Sequence, residues 1–378
     1  MTRVIHLTSA HQRRDIRIFL KECCSLAAAG YDTHLVVADG LGDALVSGVH
    51  IKDTGSKSGG RLSRMALSAF KVYSAGLALD GDIYHLHDPE LWLWALALKA
   101  KGKKVIFDAH EDLPAQILTK PYIQPYLRKL IAGLTDKVER FVARKIDAVV
   151  GATPSISHKF AAIGVRRTVD INNFPLEGEL VSADRAAEGS RAVCYVGGIS
   201  AIRGIAELVE AMALTRTDAR IILAGSFGPA SLRADMVAKP GWNAVDEVGQ
   251  VNRDAVREIL GKSIAGLVTY LPAPNHVHAQ PNKMFEYMSA GVPVIASDFP
   301  LWREIVEGND CGLLVDPHNP KAIAEAIDTL VSSPEMTRCM GENGRRAVKE
   351  KYNWAIEEAK LIALYKDIVG PPQLAFQA

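Results

Sequence analysis

No apolar run in this 378-residue chain is long enough to span a bilayer; the longest, Leu91 to Leu98, is 8 residues. The first residues, Met-Thr-Arg-Val-Ile-His-Leu-Thr, enter a strand pattern directly and carry no apolar leader core. Cysteine is scarce, with 5 residues and no Cys-x-x-Cys pair, which argues against a disulfide framework or a paired-cysteine metal site. Net charge is almost absent at +1, and repeats and low-complexity segments are lacking. The first strand is not followed by Gly-x-Gly-x-x-Gly, so the dinucleotide fingerprint is missing where it would belong. These absences leave a cytoplasmic globular protein with reduced cysteines as the expectation. An apolar content of 48% and a length sufficient for two cores agree with it.

The small net charge hides an asymmetry. Residues 1–175 hold 24 Lys+Arg against 17 Asp+Glu, or +7, and residues 176–378 hold 20 against 26, or −6. That split excludes nucleic acid as a partner for the whole chain and lets the first half face an anionic surface.

Strand and helix patterns alternate from Arg3 to the helix after Pro154, fail between Asn172 and Ser190, and restart at Ala192. Alternation of this kind gives parallel sheets with helical crossovers. The expected fold class is α/β: two doubly wound Rossmann-like domains facing across a cleft. The expected boundaries are 1–175 for the first domain, 176–190 for a linker and 191–352 for the second domain. A C-terminal helix at 353–378 is expected to pack back toward the first. Ligands of open parallel sheets sit at the carboxyl ends of the strands, which selects the residues to inspect.

The most informative stretch is Gln280 to Pro300. Asn282 is expected as an N-cap, with a helix from Lys283 closed by Gly291 and a buried strand over Val292 to Ala296. Met284, Tyr287 and Met288 form the apolar stripe. The helix start and the ammonium of Lys283 make a site for an anion, most naturally a phosphate. Glu286, one turn on, can accept two hydrogen bonds from a ribose diol. An ordinary amphipathic helix with a solvated Lys–Glu pair is the plain alternative.

The pattern Phe285-Glu-Tyr-Met-x-Ala-Gly-x-Pro-Val-Ile-Ala-Ser-Asp298 resembles the nucleotide-sugar signature of the group 1 retaining glycosyltransferases, whose two-domain architecture is called GT-B. Tyr195-Val-Gly197-Gly198-Ile-Ser-Ala-Ile-Arg203-Gly204 resembles the family's diphosphate element, with Arg203 in the place of its lysine. The resemblance is strongest over residues 190–316 and continues more weakly over the first domain. Two departures stand out. His278 replaces the first of the family's two glutamates, and Pro281 stands where many members have glycine.

The resemblance implies Gly197, Gly198, Arg203, Gly249, Val251, Asn282, Lys283, Met284, Phe285 and Glu286 around the donor nucleotide. Arg203 and Lys283 would meet the charge that grows on the departing phosphate. In the first domain, Asp108-Ala-His110-Glu111 matches an element whose histidine contacts the transferred sugar, making His110 the third catalytic candidate. His11, Asp15, His87, Asp88, Glu111 and His278 complete the expected donor-sugar and acceptor set. Polar groups after the first strand, Arg13, Arg14 and Arg17 included, suit a hydroxylated or anionic acceptor. His85-x-His87-Asp88-x-Glu90 offers a metal reading, but the family works without a bound metal ion, so neither metal nor cofactor is expected. Asp80-Gly-Asp82 reads as a turn on the amino edge.

The expected activity is retaining transfer from a nucleotide diphosphate sugar to a hydroxyl of a glycan or lipid-linked acceptor, in surface polysaccharide synthesis. A nucleotide-sugar epimerase and a non-enzymatic nucleotide-sugar sensor are the rival readings. The window Gln116 to Lys145 carries +5 with Tyr122, Tyr126, Leu127, Leu130, Ile131, Leu134, Val138 and Phe141 between the charges. It either packs an apolar stripe on the first domain's sheet or lies on an anionic membrane. The second option places a cytoplasmic protein peripherally on the inner face of the plasma membrane.

Overall fold

Short runs of β-branched and aliphatic residues such as Ala148-Val-Val-Gly151 and Val294-Ile-Ala-Ser297 are buried along their whole length, as strands covered on both faces must be. The computed structural model describes residues 1–56, 61–120, 123–181 and 190–369. Tyr122, residues 182–189 of the expected linker and the tail from Gly370 lie outside the described residues. The chain divides into two units, one of residues 1–173 and 355–378, the other of residues 174–354.

The first unit carries β1 (Arg3–Leu7), β2 (Asp32–Val37), β3 (Ala44–Val46), β4 (Val49–Asp53), β5 (Ile83–Leu86), β6 (Lys104–Ala109), β7 (Ala148–Gly151) and β8 (Thr168–Asp170). Their order is β3-β4-β2-β1-β5-β6-β7-β8, parallel except for the β3–β4 pair. The second carries β9 (Ala192–Val196), β10 (Arg220–Ala224), β11 (Val245–Gly249), β12 (Ala265–Val268), β13 (Val294–Ser297) and β14 (Gly312–Val315). Its order is β11-β10-β9-β12-β13-β14, parallel throughout. In each sheet the order reverses beside the first strand of the unit, which is the switch point where ligands collect.

Polar side chains start several crossover helices. Asp15, Asp112, Thr153, Asn252 and Asn319 each accept a main-chain N–H of the first turn. Gly30 and Gly291 follow helices in the left-handed region, at φ 91° and 75°. The turn at Asp80-Gly-Asp82 lies on the amino side of β5, where Asp82 accepts the N–H of Arg3 at 2.8 Å.

Several expectations shift. Asn282 is the first residue of the helix Asn282–Ala290 rather than its cap; the extended residue before it is Pro281, and no side chain caps the start. The following strand begins at Val294, because Pro293 has no N–H and serves the ladder only through its carbonyl, which accepts from Gly266 at 2.9 Å. The helical window Gln116 to Lys145 is two helices, Leu113–Leu118 and Pro125–Ala143, the second opening with proline at its first turn. Strands β3 and β8 and the helix Ala230–Val237 were not expected.

The boundary between units falls at 173/174, and Phe174 and Leu180 belong to the core of the second unit. The last helix, Trp354–Val369, returns to the first unit. There the Glu357 carboxylate accepts from Asn172 N at 2.8 Å, and Tyr365 is wholly buried beside His85.

Candidate active site

At the carboxyl edge of the first sheet, Asp108 near the end of β6 is the hub. It is fully buried and takes a bidentate pair from Arg17 at 2.8 and 2.7 Å. Its Oδ2 also lies 2.9 Å from His110 Nε2 and 3.2 Å from His87 Nδ1. Burial alone would raise this carboxyl, but Arg17, with His110 and His87 behind it, holds it well below the usual carboxylate range. Arg17 also donates to the Ile171 carbonyl at 2.7 Å. His110 is the outermost member, its side chain 22% exposed, with Nε2 committed to Asp108. A sugar hydroxyl would therefore meet its Nδ1.

Asp88 occupies a second knot. Its carboxylate accepts from Ser9 N at 2.6 Å, Ala10 N at 3.1 Å and Thr8 Oγ1 at 2.9 Å, and pairs with His11 Nδ1 at 3.0 Å. Burial opposes the charged form, yet His11 and these donors hold its pKa down at about 2. Burial likewise works against a charged His11, but Asp88 outweighs it and raises that imidazole above its usual value. The His11 and His110 rings lie 5.0 Å apart between centroids.

Several expected contacts with donor sugar or acceptor are corrected by this geometry. Asp88 is 1% exposed and already occupied by the loop after β1, so it shapes that loop rather than offering a free carboxylate. Asp15 is spent capping the helix Ile16–Cys23, accepting from Arg17 N and Ile18 N. His87 is 2% exposed and lies beneath His110, not in the wall of an opening. Arg17 is buried on Asp108, and Arg13 is bidentate to Asp39 at 2.7 and 2.6 Å. Glu111 and His278 are exposed, and Glu111 bonds to Gln116.

The second unit's edge is built differently. Gly197 ends the turn after β9 at φ 118°, and a side chain there would stand 3.5 Å from the Lys283 stem. Gly204, at φ 74°, passes so close to the Thr269 carbonyl that a Cβ would lie 2.0 Å from its oxygen. Between them Arg203 donates to the Gly198 carbonyl at 2.8 Å. Lys283 comes in from the start of the helix Asn282–Ala290. Its Nζ has no hydrogen-bond partner, the residue is only 6% exposed, and the ammonium stands 3.3 Å above the centre of the Tyr195 ring. Tyr270 carries both cations, each 5.5 Å from its centroid. Burial first, and the neighbouring Arg203 second, push the Lys283 amine well below its usual value.

Glu286 does not pair with Lys283 as an ordinary solvated helix face would. It accepts from Arg253 Nη1 at 2.7 Å, and Arg253 Nε donates to Glu179 at 2.8 Å. Met284 and Phe285 are buried whole, main chain included, so of the expected nucleotide set these two serve the core rather than a ligand. Gly249 is at φ 72° with open space about it, and Val251 is half-buried against the core.

Sequence reasoning missed Tyr195, Tyr270 and Arg253 as partners of these groups. Tyr270 follows β12 at the carboxyl edge, so the edge rule alone would have found it. Arg253 reaches Glu286 across 33 residues of sequence, which no local pattern records. A cavity of about 840 Å³ in the second unit lies elsewhere, with Arg191, Pro293, Arg338 and Arg345 among its lining residues and none of the candidates. It opens beside the amino ends of β9, β12 and β13, the edge that parallel sheets do not use for catalysis.

Two doubly wound units, the second with a glycine loop and two cations at its carboxyl edge, define a protein of the GT-B class. The family model described as glycosyl transferases group 1 matches residues 179–347, and that described as glycosyltransferase family 4 matches residues 19–173. The chain belongs to the group 1 glycosyltransferases and is a transferase.

Among curated relatives, alpha-maltose-1-phosphate synthase of Mycolicibacterium smegmatis is 25% identical over 340 residues, covering 81% of this chain and 85% of that protein. Alpha-D-kanosaminyltransferase of Streptomyces kanamyceticus is 25% identical over 278 residues, covering 68% and 70%. An uncharacterized glycosyltransferase of Methanocaldococcus jannaschii is 26% identical, and there the match spans about half of each chain, 47% and 45%. Sucrose-phosphate synthase from Thermosynechococcus elongatus shares the fold with a TM-score of 0.78 at 19% identity, covering 98% of this chain and 99% of that one. HepE of Anabaena, solved with UDP-glucose, does so at 0.72 and 14% identity, covering 97% and 100%.

Proposed function

We propose that this glycosyltransferase moves a sugar from a nucleotide diphosphate sugar to a hydroxyl acceptor with retention of anomeric configuration. The observation that carries the reading is Lys283, a buried amine without a hydrogen-bond partner, set beside Arg203 over two aromatic rings at a glycine-lined turn. Burying an unpaired cation costs free energy, and a diphosphate would restore its partner. As the C1–O bond to the β-phosphate breaks, charge grows on that oxygen, where a preorganised donor contributes about 3 kcal/mol. The acceptor oxygen then bonds to C1 on the face the phosphate leaves, and its proton passes to the departing phosphate oxygen. This route needs no enzyme carboxylate as nucleophile and no metal at the phosphate. His110 would hold the transferred sugar and Glu286 the ribose. UDP or UDP-glucose bound to HepE supports a nucleotide donor of this kind.

For the acceptor, the reading is a glycan or lipid-linked hydroxyl in surface polysaccharide synthesis, reached from an anionic membrane surface. No described helix is long and apolar enough to cross a membrane. The helix Pro125–Ala143, however, turns only Ala132, Glu139, Val142 and Ala143 inward. Tyr126, Leu130 and Leu134 face out at 71%, 68% and 63% exposure, so the apolar stripe does not pack on the sheet. Lys129, Lys137 and Lys145 flank it in the open.

Two experiments test the reading. The product's anomeric configuration, read by NMR, should match the donor's; inversion would overturn the mechanism. Cosedimentation with vesicles containing anionic lipid should be lost in a Lys129→Glu, Lys137→Glu, Lys145→Glu triple variant with the fold unchanged. If wild type ignores such vesicles at low salt, a soluble acceptor is the better reading.

A further inference from the structure

Beneath His110 lies a second, deeper group of polar side chains that the transfer reading does not use. His6 on β1, His85 on β5, His87 just beyond it and Glu22 on the helix Ile16–Cys23 are all buried, none more than 2% exposed. One ligand atom from each lies within 4.8 Å of all the others. From Glu22 Oε2 the distances are 4.0 Å to His6 Nδ1, 3.8 Å to His85 Nδ1 and 4.0 Å to His87 Nε2, and His6 Nδ1 stands 2.9 Å from His87 Nε2. Neither carboxylate oxygen of Glu22 has a hydrogen-bond partner. The helix that delivers Glu22 is wound with i→i−5 hydrogen bonds, a rare form that is frequent at functional sites.

We propose that these four residues hold a divalent metal ion, most suitably zinc, inside the first unit. Three imidazoles and one carboxylate are a donor set that zinc accepts in tetrahedral geometry. Ligand bonds of roughly 2.0–2.1 Å put tetrahedral donor atoms about 3.3–3.4 Å apart. The four distances given, 2.9 to 4.0 Å, bracket that spacing and the whole set lies within 4.8 Å, so closing on an ion needs movements of about an ångström or less. The charge balance also fits. Arg17 is bidentate to Asp108 and its Nε also lies 3.2 Å from Glu22 Oε1, so two carboxylates share one guanidinium. Burial, with Asp108 behind it, holds the Glu22 carboxyl well above its usual range, and a bound cation would supply the positive charge that its ionised form lacks. A second grouping, His87, Asp108 and His110, is the weaker candidate because Arg17 occupies both oxygens of Asp108.

The outer partners suit the same arrangement. With the ion on His87 Nε2, the proton sits on Nδ1 and is donated to Asp108 Oδ2, 3.2 Å away, the carboxylate–histidine pairing that orients metal ligands elsewhere. With the ion on His6 Nδ1, His6 Nε2 donates to the Tyr365 hydroxyl, 3.4 Å away. That hydroxyl now lies 2.8 Å from His85 Nδ1 and must swing off it to free the fourth ligand. The ion would touch no substrate. It is a structural site that fixes His87 and Asp108, and through them the bed on which His110 rests. The inference stands apart from the transfer reading, and either can fail alone.

The test is metal analysis of the full-length protein, purified without an affinity tag or chelator. About one zinc per chain is expected, and chelator treatment should lower the melting temperature by about 5 °C or more, with added zinc restoring it. Cobalt(II) in its place should give the visible absorption of a tetrahedral centre. Glu22→Gln should lose both the metal and the zinc-dependent rise in melting temperature, while Tyr365→Phe should keep both. A metal-free wild type whose melting temperature is unmoved by excess zinc would overturn the site. So would a Glu22→Gln variant as stable as wild type, because the neutral amide keeps the size of a protonated carboxyl but cannot supply the anionic zinc ligand.

Discussion

The two carboxyl edges use charge in opposite ways. On the first, Asp108 and Asp88 are buried and each is met by several donors, so the loops after β1, β5 and β6 are held by bonds that already exist. On the second, Lys283 is buried with no hydrogen-bond partner, and Arg203 reaches only a backbone carbonyl. A satisfied edge is a scaffold that presents a few part-exposed groups, His110 and His11 among them. An unsatisfied edge is a receptor, since its stored electrostatic cost is relieved only by a ligand of opposite sign.

The largest effect should come from unpairing the scaffold. Asp108→Asn leaves the buried Arg17 with only Glu22, 3.2 Å from its Nε, as countercharge and removes the acceptor of His110 and His87, and should destabilise the protein by about 3 kcal/mol in denaturant titrations. A change below about 1 kcal/mol would show that the first edge is not held by this pair.

Removing charge from the receptor edge should do the reverse to stability. Lys283→Met should raise stability by about 1–2 kcal/mol, since a buried amine without a hydrogen-bond partner is replaced by an apolar side chain of similar length. Its kcat should fall about 10²- to 10³-fold, as should that of Arg203→Ala, with nucleotide affinity falling less. Loss of both stability and activity in Lys283→Met would mean that the amine is structural.

The Asp88 knot gives a pH signature. Its folded pKa, about 2, lies below the unfolded value, so its contribution is present above pH ~4 and is lost as pH falls toward 2. The stability gap between wild type and Asp88→Asn should therefore shrink by about 2 kcal/mol over that range. A gap that does not change with pH would contradict the pairing. The smallest effect is expected at Glu286, where Glu286→Gln should weaken nucleoside diphosphate binding about 10-fold, the value of one charge-assisted hydrogen bond. Unchanged affinity would remove it from the ribose.

Much of this comparison was legible in the sequence. Gly291, Lys283 and Glu286 stand where the motif put them, and the alternation from Arg3 onward gave both sheets. What it left out was short or distant. Strands β3 and β8 have three residues each, too few for a period to show. Within the window Gln116 to Lys145 the apolar spacing continues, so the break before Pro125, which opens a new helix, did not show. The roles of Asp88 and Asp15 were misjudged because an acidic residue at a strand end looks alike whether it meets a ligand or closes its own loop. The burial of Lys283 depends on Tyr195 and Tyr270, brought in from two other strands, and no local spacing records that.

The receptor claim is tested most directly by calorimetric titration of nucleoside diphosphates at pH 8 in buffers of differing ionisation enthalpy. Because Lys283 is held well below its usual value in the free protein and a bound phosphate would raise it again, proton uptake on binding should grow as the titration is repeated at rising pH. In Lys283→Met the uptake should vanish and affinity should fall about 10-fold or more. Binding with no proton uptake, and with equal affinity in wild type and Lys283→Met, would contradict the account.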